Sequence, residues 1–313
     1  MNTQINSLYR KYRPSKFSEV VGQQHIVKTL QNQIKNGKTT HAYLFYGTRG
    51  TGKTSIAKIL AKSLAEPNDI FEFDAASNNS VDNVRELIEK TKYPPTFSKY
   101  KVYIIDEVHM FSGSAFNAFL KTLEEPPSHV VFILCTTEAH KLPQTILSRV
   151  LRFDFRPIPN NELEKHLTSI FKKESVEFET DAIKTIVEQG RGSVRDVLSI
   201  TESVLAYDKK ITTKSVEDVL GKVNKETLKT LVTNLLDKDI EKTVKSCDTI
   251  FGGGHNITQV LQDLLREIRN QFIESKKPEL INIYKTFADV EMHIKTSTDP
   301  RTMFEGACIV AVA

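Results

Sequence analysis

The segment Gly47-Thr48-Arg49-Gly50-Thr51-Gly52-Lys53-Thr54 constrains this chain more than any other, because it fits G-x-x-x-x-G-K-[ST] in full. It follows the β-rich run His41–Tyr46 and leads into Ser55–Leu64, where Ile56, Leu60 and Leu64 recur at helical spacing. Such a loop needs a strand before it and a helix after it. Its glycines let backbone N–H groups curl inward around phosphate oxygens, and the free N–H groups and dipole of the helix start favour negative charge. The motif places Gly47, Thr48, Arg49, Gly50, Thr51, Gly52 and Ser55 around the phosphates, Lys53 on the β- and γ-phosphates, and the Thr54 hydroxyl on Mg²⁺. ATP with Mg²⁺ is the expected ligand.

The rest of the first half extends this beginning. Ile70–Asp74, Lys101–Ile105, Val130–Cys135 and Leu151–Phe155 read as strands. The nearly continuous apolar runs among them suit strands covered on both faces. Ala115–Leu123 reads as a helix, and strands alternating with helices predict an α/β fold with a parallel sheet. Beyond Pro157 and Pro159 the pattern changes to four short helices, Glu162–Phe171, Asp181–Gln189, Val194–Ala206 and Ser215–Leu220. Longer amphipathic helices follow, among them Glu226–Leu236, Ile257–Phe272 and Glu279–Ile294, and Gly252-Gly253-Gly254 reads as a loop ending one of them. The expected division is an α/β module over 1–158, a small helical domain over 159–221 and an all-α domain over 222–313.

Composition excludes some classes. Hydrophobic residues at 39% and charged residues at 26% rule out wholesale disorder. No run approaches the ~18 to 20 apolar residues of a membrane span, and the start has no signal-peptide core. Cys135, Cys247 and Cys308 form neither a pair spacing nor a metal-ligand spacing, which predicts a reducing, cytoplasmic setting. Basic residues number 21 against 14 acidic in 1–158, 9 against 12 in 159–221, and 13 against 13 in 222–313. A polyanion would therefore be met by the first segment.

A second acidic element ends the strand-like Val102–Ile105. Asp106 is placed to hold Mg²⁺ through water and Glu107 to polarise an attacking water; a pair of helix-capping carboxylates is the structural alternative. An intact phosphate loop upstream favours hydrolysis. His109 receives no role.

Several motifs in order carry a resemblance: Leu8-Tyr9-Arg10-Lys11-Tyr12-Arg13-Pro14, Phe17-Ser18-Glu19-Val20-Val21-Gly22-Gln23, His41–Phe45, Asp106–Met110, Leu123-Glu124-Glu125-Pro126-Pro127 and Ile146-Leu147-Ser148-Arg149. Together they resemble the gamma/tau subunits of bacterial DNA polymerase III, clamp-loader ATPases of the AAA+ class. The resemblance implies a helical lid domain and an all-α collar domain after the α/β module. It implies that Thr137 hydrogen-bonds the γ-phosphate or lytic water, although a threonine in a strand-end turn fits the residues alone. Arg149 matches the arginine finger that acts in trans on a neighbouring subunit's ATP. Arg195 matches a second phosphate sensor, and the Ser193-x-x-Asp196 capping pattern independently puts it in a first helical turn, where a nearby anion would suit a cation. A surface arginine bridged to a carboxylate is the alternative. The Tyr12-Arg13-Pro14 stretch with Val20 and Val21 would pack around the adenine.

The implied partners are further gamma/tau copies with delta and delta prime in a five-subunit ring, the sliding clamp, and primer–template DNA held by phosphate contacts; no membrane is involved. Asn78, Asn79 and Arg85, taken as the start of a helix, are candidates for the DNA surface, with asparagine capping and a solvated arginine as the alternative. Two departures stand out. Only Ala65–Asp69 separates the loop helix from the next strand, where the family inserts a four-cysteine zinc module, so no zinc is expected. Val150 replaces a common cysteine. The sequence ends at Ala313, so the long tail of tau forms is expected to be absent. Other readings are a branch-migration or replication-restart AAA+ ATPase, or a stator subunit without hydrolysis; intact Lys53, Thr54, Asp106 and Glu107 argue against the stator.

Overall fold

The computed structural model describes residues 7–294 and 296–312, and its packing divides the chain into two compact units, Met1–Lys209 and Lys210–Ala313. In the first, β1 (Ala42–Gly47), β2 (Ile70–Asp74), β3 (Lys101–Asp106), β4 (Val130–Thr136) and β5 (Leu151–Phe155) form one sheet in the order β2-β3-β4-β1-β5. Every pairing is parallel. The central strands are buried along most of their length and mainly apolar because both faces are covered. One face packs Tyr43, Phe45, Ile104 and Ile133 against α2 (Gln24–Lys35) and α3 (Lys53–Leu64), and the other packs Leu44, Tyr103, Phe132 and Leu134 against α4 (Val81–Thr91) and α5 (Gly113–Glu124).

Helix α3 begins at Lys53, two residues before the apolar spacing suggests, because Gly52 at φ +102° makes the turn from loop to helix. Serine caps start α4 and α5: Ser80 accepts Asn83 N–H and Ser112 accepts Ala115 N–H. Asn78 and Asn79 therefore precede α4 rather than open it. Asn78 donates to the Asp74 carbonyl, and Arg85 pairs with Asp82 at 3.1 Å. The short link before β2 is fastened by Asp69, only 1% exposed, whose carboxylate accepts the N–H groups of Thr96 and Phe97.

The unit is completed by two short helices, α1 (Leu8–Lys11) and α6 (Gln144–Leu147), and by α7 (Asn160–Glu174), α8 (Thr180–Gly190) and α9 (Val194–Tyr207). The last three are tied to the sheet module by Ile158 N–H donating to Gly192 O and Val194 N–H donating to Gly50 O.

The second unit is all helical: α10 (Thr213–Leu220), α11 (Lys225–Leu236), α12 (Ile240–Gly252), α13 (Ile257–Ser275), α14 (Glu279–Ile294) and α15 (Pro300–Val312). Its core gathers Leu231, Leu235, Leu261, Leu264, Phe287 and Phe304. The triple glycine ends α12, as expected; α12 and α15 are not among the helices named from the sequence, although only α15 lacks a clear apolar spacing. Their packing brings Cys247 and Cys308 to an Sγ–Sγ distance of 3.6 Å, although a separation of 61 residues suggests no pairing. Among the described residues no helix is long and apolar enough to cross a membrane.

Candidate nucleotide-hydrolysis site

The strand order brings the C-terminal ends of β1, β4 and β3 side by side, so the residues that follow them converge. Gly47, Gly50 and Gly52 all have positive φ, and two of them also lack room for a side chain. A Cβ on Gly47 would lie 2.1 Å from Phe155 O, and one on Gly50 would lie 1.8 Å from Ser193 Oγ. The loop is thus pressed against β5 on one side and the start of α9 on the other.

Within the loop, Lys53 is 6% exposed and its Nζ donates to the carbonyls of Gly47 and Thr48, each at 2.9 Å. Burial pushes its ammonium below the ordinary lysine value, while the carboxylates of Glu107 and Asp106 act in the other direction. Thr54 Oγ1 donates to Asp106 Oδ2 at 2.8 Å, joining the loop helix to the end of β3. These hard oxygen donors suit Mg²⁺, which takes one or two protein ligands together with phosphate and water. Among the described residues no group of three or more His, Cys, Asp or Glu forms a closed metal cage. Thr54 and Asp106 are the residues that would hold the ion.

Glu107 sits at φ +48°, a left-handed backbone that a glutamate rarely adopts. Asp106 Oδ1 accepts the Glu107 N–H at 3.0 Å, which fixes this turn. Its carboxylate then meets Thr137 from the end of β4, whose hydroxyl donates to Glu107 Oε2 at 3.3 Å. His109, without a role in the sequence reading, proves to be a brace. It is nearly buried, bonds Thr136 Oγ1 through Nδ1 at 3.0 Å, and lies 3.4 Å from Glu107 Oε2 and 3.3 Å from Glu138 Oε1.

These groups line one cleft. Arg49, Gly50, Thr51, Gly52, Lys53, Thr54, Ser55, Asp106, Glu107, Thr137 and Arg195 form its polar end, and Val20, Val21, Pro14, Ile158 and Leu198 its apolar end. Gly47 and Thr48 lie beneath, as acceptors for Lys53. Arg195 follows the Ser193 cap, which accepts Asp196 N–H at 3.1 Å, and among the described residues it has no carboxylate partner. The surface ion pair offered as its alternative is therefore not formed.

Arg149 stands apart. It is outside the cleft of its own chain, with Nη2 2.7 Å from Glu124 Oε1 and Nη1 donating to Thr145 O. Sequence reasoning missed Tyr9, Glu19, His166 and Leu198 as lining residues. Leu198 was accessible from the turn spacing after Arg195, but nothing local marks the others. It also missed Gln23, whose buried amide donates to Arg156 O at 2.6 Å and so ties the segment before α2 to the end of β5.

Models of three protein families match in succession: DNA polymerase III, delta subunit, over residues 22–78 and 66–159; the ATPase lid domain of the DNA polymerase III clamp loader subunit over 162–209; and domain III of DNA polymerase III subunits gamma and tau over 211–282. The chain is 39% identical to DNA polymerase III subunit gamma of Buchnera aphidicola subsp. Baizongia pistaciae, across 83% of this chain and 76% of that one. It belongs to the gamma/tau family of DNA polymerase III subunits. Identity to subunit tau of Bacillus subtilis is 39%, across 92% of this chain and 56% of the relative; for subunit tau of Escherichia coli it is 40%, across 82% and 44%. The chain thus spans about half the length of these tau relatives. Among solved structures, the Thermotoga maritima RuvB Holliday junction branch migration motor aligns with a TM-score of 0.56 at 21% identity, covering 72% of this chain and 79% of that one. That likeness shows the fold alone, a parallel sheet flanked by helices.

Proposed function

We propose that this chain is an ATP-driven motor subunit of the cytoplasmic bacterial clamp loader, which opens the sliding clamp and loads it on primed DNA. The observation that carries the reading is the convergence of Lys53, Thr54, Asp106, Glu107, Thr137 and Arg195 on one cleft while Arg149 lies outside it. A nucleotide gripped by one chain and completed by another couples hydrolysis to assembly.

In this reading Lys53 exchanges its loop carbonyls for the β- and γ-phosphates. Mg²⁺ held by Thr54 and Asp106 supplies neutralisation of phosphate charge. Glu107 orients and deprotonates the attacking water, Thr137 fixes the Glu107 carboxylate and the water between them, and Arg195 contacts the γ-phosphate. Arg149 leaves Glu124 to reach the nucleotide of the neighbouring copy, where its charge stabilises the transferring phosphoryl group. Residues 1–158 act as the ATPase module, 159–221 as the lid and 222–313 as the collar holding further gamma/tau copies, delta and delta prime in a five-membered ring. Primer–template DNA is gripped through its phosphates without base reading, with Asn78, Asn79 and Arg85 toward it.

Turnover of ATP with and without primed DNA and sliding clamp tests the assignment. Stimulation by both together is expected of the loader; activity on forked DNA indifferent to clamp would instead indicate a branch-migration machine. Arg149→Ala should keep nucleotide affinity and slow hydrolysis in the assembled complex at least about tenfold. A mutant complex with normal turnover would remove the trans role.

A further inference from the structure

Arg195 borders two openings: the nucleotide cleft, and a second one lined by Tyr9, Arg10, Arg13 and Arg195. Three guanidinium groups therefore gather in one place. Among the described residues none of the three has a carboxylate within ion-pair distance. Two of them have the Tyr9 ring. Arg195 Cζ lies 5.2 Å from its centroid and Arg10 Cζ 5.8 Å. The negative π face offsets part of the mutual repulsion of Arg10 and Arg195. Arg195 needs that help most, since the second residue of α9 lies at the positive end of a helix.

The segment that carries the ring is anchored. Its helix, α1, is anchored to α7 through Glu174, which accepts the Tyr12 hydroxyl and pairs with Lys11. Burial, with Glu174 adding to it, pushes the Tyr12 hydroxyl up to about 12, so it stays a donor at any ordinary pH. On its other side Arg195 abuts the phosphate loop, its Cβ lying 3.3 Å from where a Gly50 Cβ would stand. The arginine, though exposed, thus stands between the loop and an aromatic face. A carboxylate in place of that face would compete with a phosphate for the guanidinium. A neutral ring orients the cation and yields it when a stronger anion arrives.

We propose that Tyr9 is a positioning residue that holds Arg195 at the γ-phosphate end of the cleft, so that the arginine separates a nucleoside triphosphate from a diphosphate. The inference rests on the reading of the cleft as an ATP site. It differs from a role in packing the base, because base packing is common to both nucleotides whereas Arg195 gains an anion only from the triphosphate.

Calorimetric affinities for a slowly hydrolysed ATP analogue and for ADP, both with Mg²⁺, distinguish the two. The full chain should be compared with Tyr9→Leu, Tyr9→Phe, Arg195→Ala and the Tyr9→Leu/Arg195→Ala double variant. Tyr9→Leu should weaken the triphosphate about three- to tenfold and leave ADP unchanged, while Tyr9→Phe, which keeps the ring face, should match the parent. The double variant should be no worse than Arg195→Ala alone. Unchanged ADP affinity also certifies that the variant is folded. Equal weakening of both nucleotides by Tyr9→Leu, or a loss that adds to that of Arg195→Ala, overturns the positioning role and leaves the ATP site standing. A parent chain that binds neither nucleotide overturns the ATP site and this inference together.

Discussion

Lys53 in the first unit and Phe287 in the second are both hidden from solvent, at 6% and 0% exposure, but their burial has opposite consequences. The lysine is held by two carbonyls of its own loop and carries a charge that burial disfavours. The phenylalanine sits among Ile283, Ile294 and Phe304 and gives up nothing on leaving water. The cleft unit accepts buried charge and a strained Glu107 where a ligand is to be met. The helical unit buries mainly hydrocarbon; its buried Glu267 accepts from Gln271 on the same helix. Chemistry and stability should therefore come apart between the units.

The sharpest test is Glu107→Gln. It should slow hydrolysis by about 10²–10⁴ while nucleotide affinity is kept, since a general base is lost and no phosphate contact is. Single-turnover rates beside calorimetry check this, and turnover near the parent value would place the water-orienting group elsewhere. Phe287→Ala should cost about 3–5 kcal/mol, read as lost hydrogen-exchange protection across α11–α15, with nucleotide affinity unaltered. Exchange that stays slow there would show that this core collapses around the gap.

Lys53→Ala should weaken ATP by about a hundredfold or more, because charge-assisted bonds to phosphate are lost. The nucleotide-free unit should be no less stable, and the sign follows from the depressed value of this lysine. Below its folded pKa both folded and unfolded chains carry the charge, and burial makes that a cost. The cost is relieved as pH rises toward the ordinary value of 10.5. A marked loss of stability on removing Lys53 would contradict this. Smallest, Ser193→Ala should cost about 1 kcal/mol through the lost cap of α9, visible in thermal unfolding.

What the sequence disclosed divides along the same line. The strands announce themselves because parallel strands covered on both faces must be mainly apolar, and the phosphate loop because its glycines are required one by one. Asp106 and Glu107 follow from the strand that carries them. Helix α15 escaped notice because its own periodicity is weak, whereas α12 carries a legible pattern, Thr243, Cys247 and Ile250 buried at helical spacing, that the sequence reading passed over. The Cys247–Cys308 approach and the His109 brace are products of packing between distant segments, and spacing along a chain holds no record of it. Tyr9 and His166 reach the cleft from elements whose positions no local pattern specifies. The asparagines before α4 misled because Ser80, next to them, is the better cap.

The Cβ that Gly50 lacks leaves room for the serine that caps α9, and the Gly50 carbonyl takes the first amide of that helix. Loop and lid therefore share a seam one methyl group wide. Under the proposed function, a rotation of the lid that broke this seam would also disturb the loop that grips the phosphates, and departure of spent nucleotide and swing of the lid would be a single event.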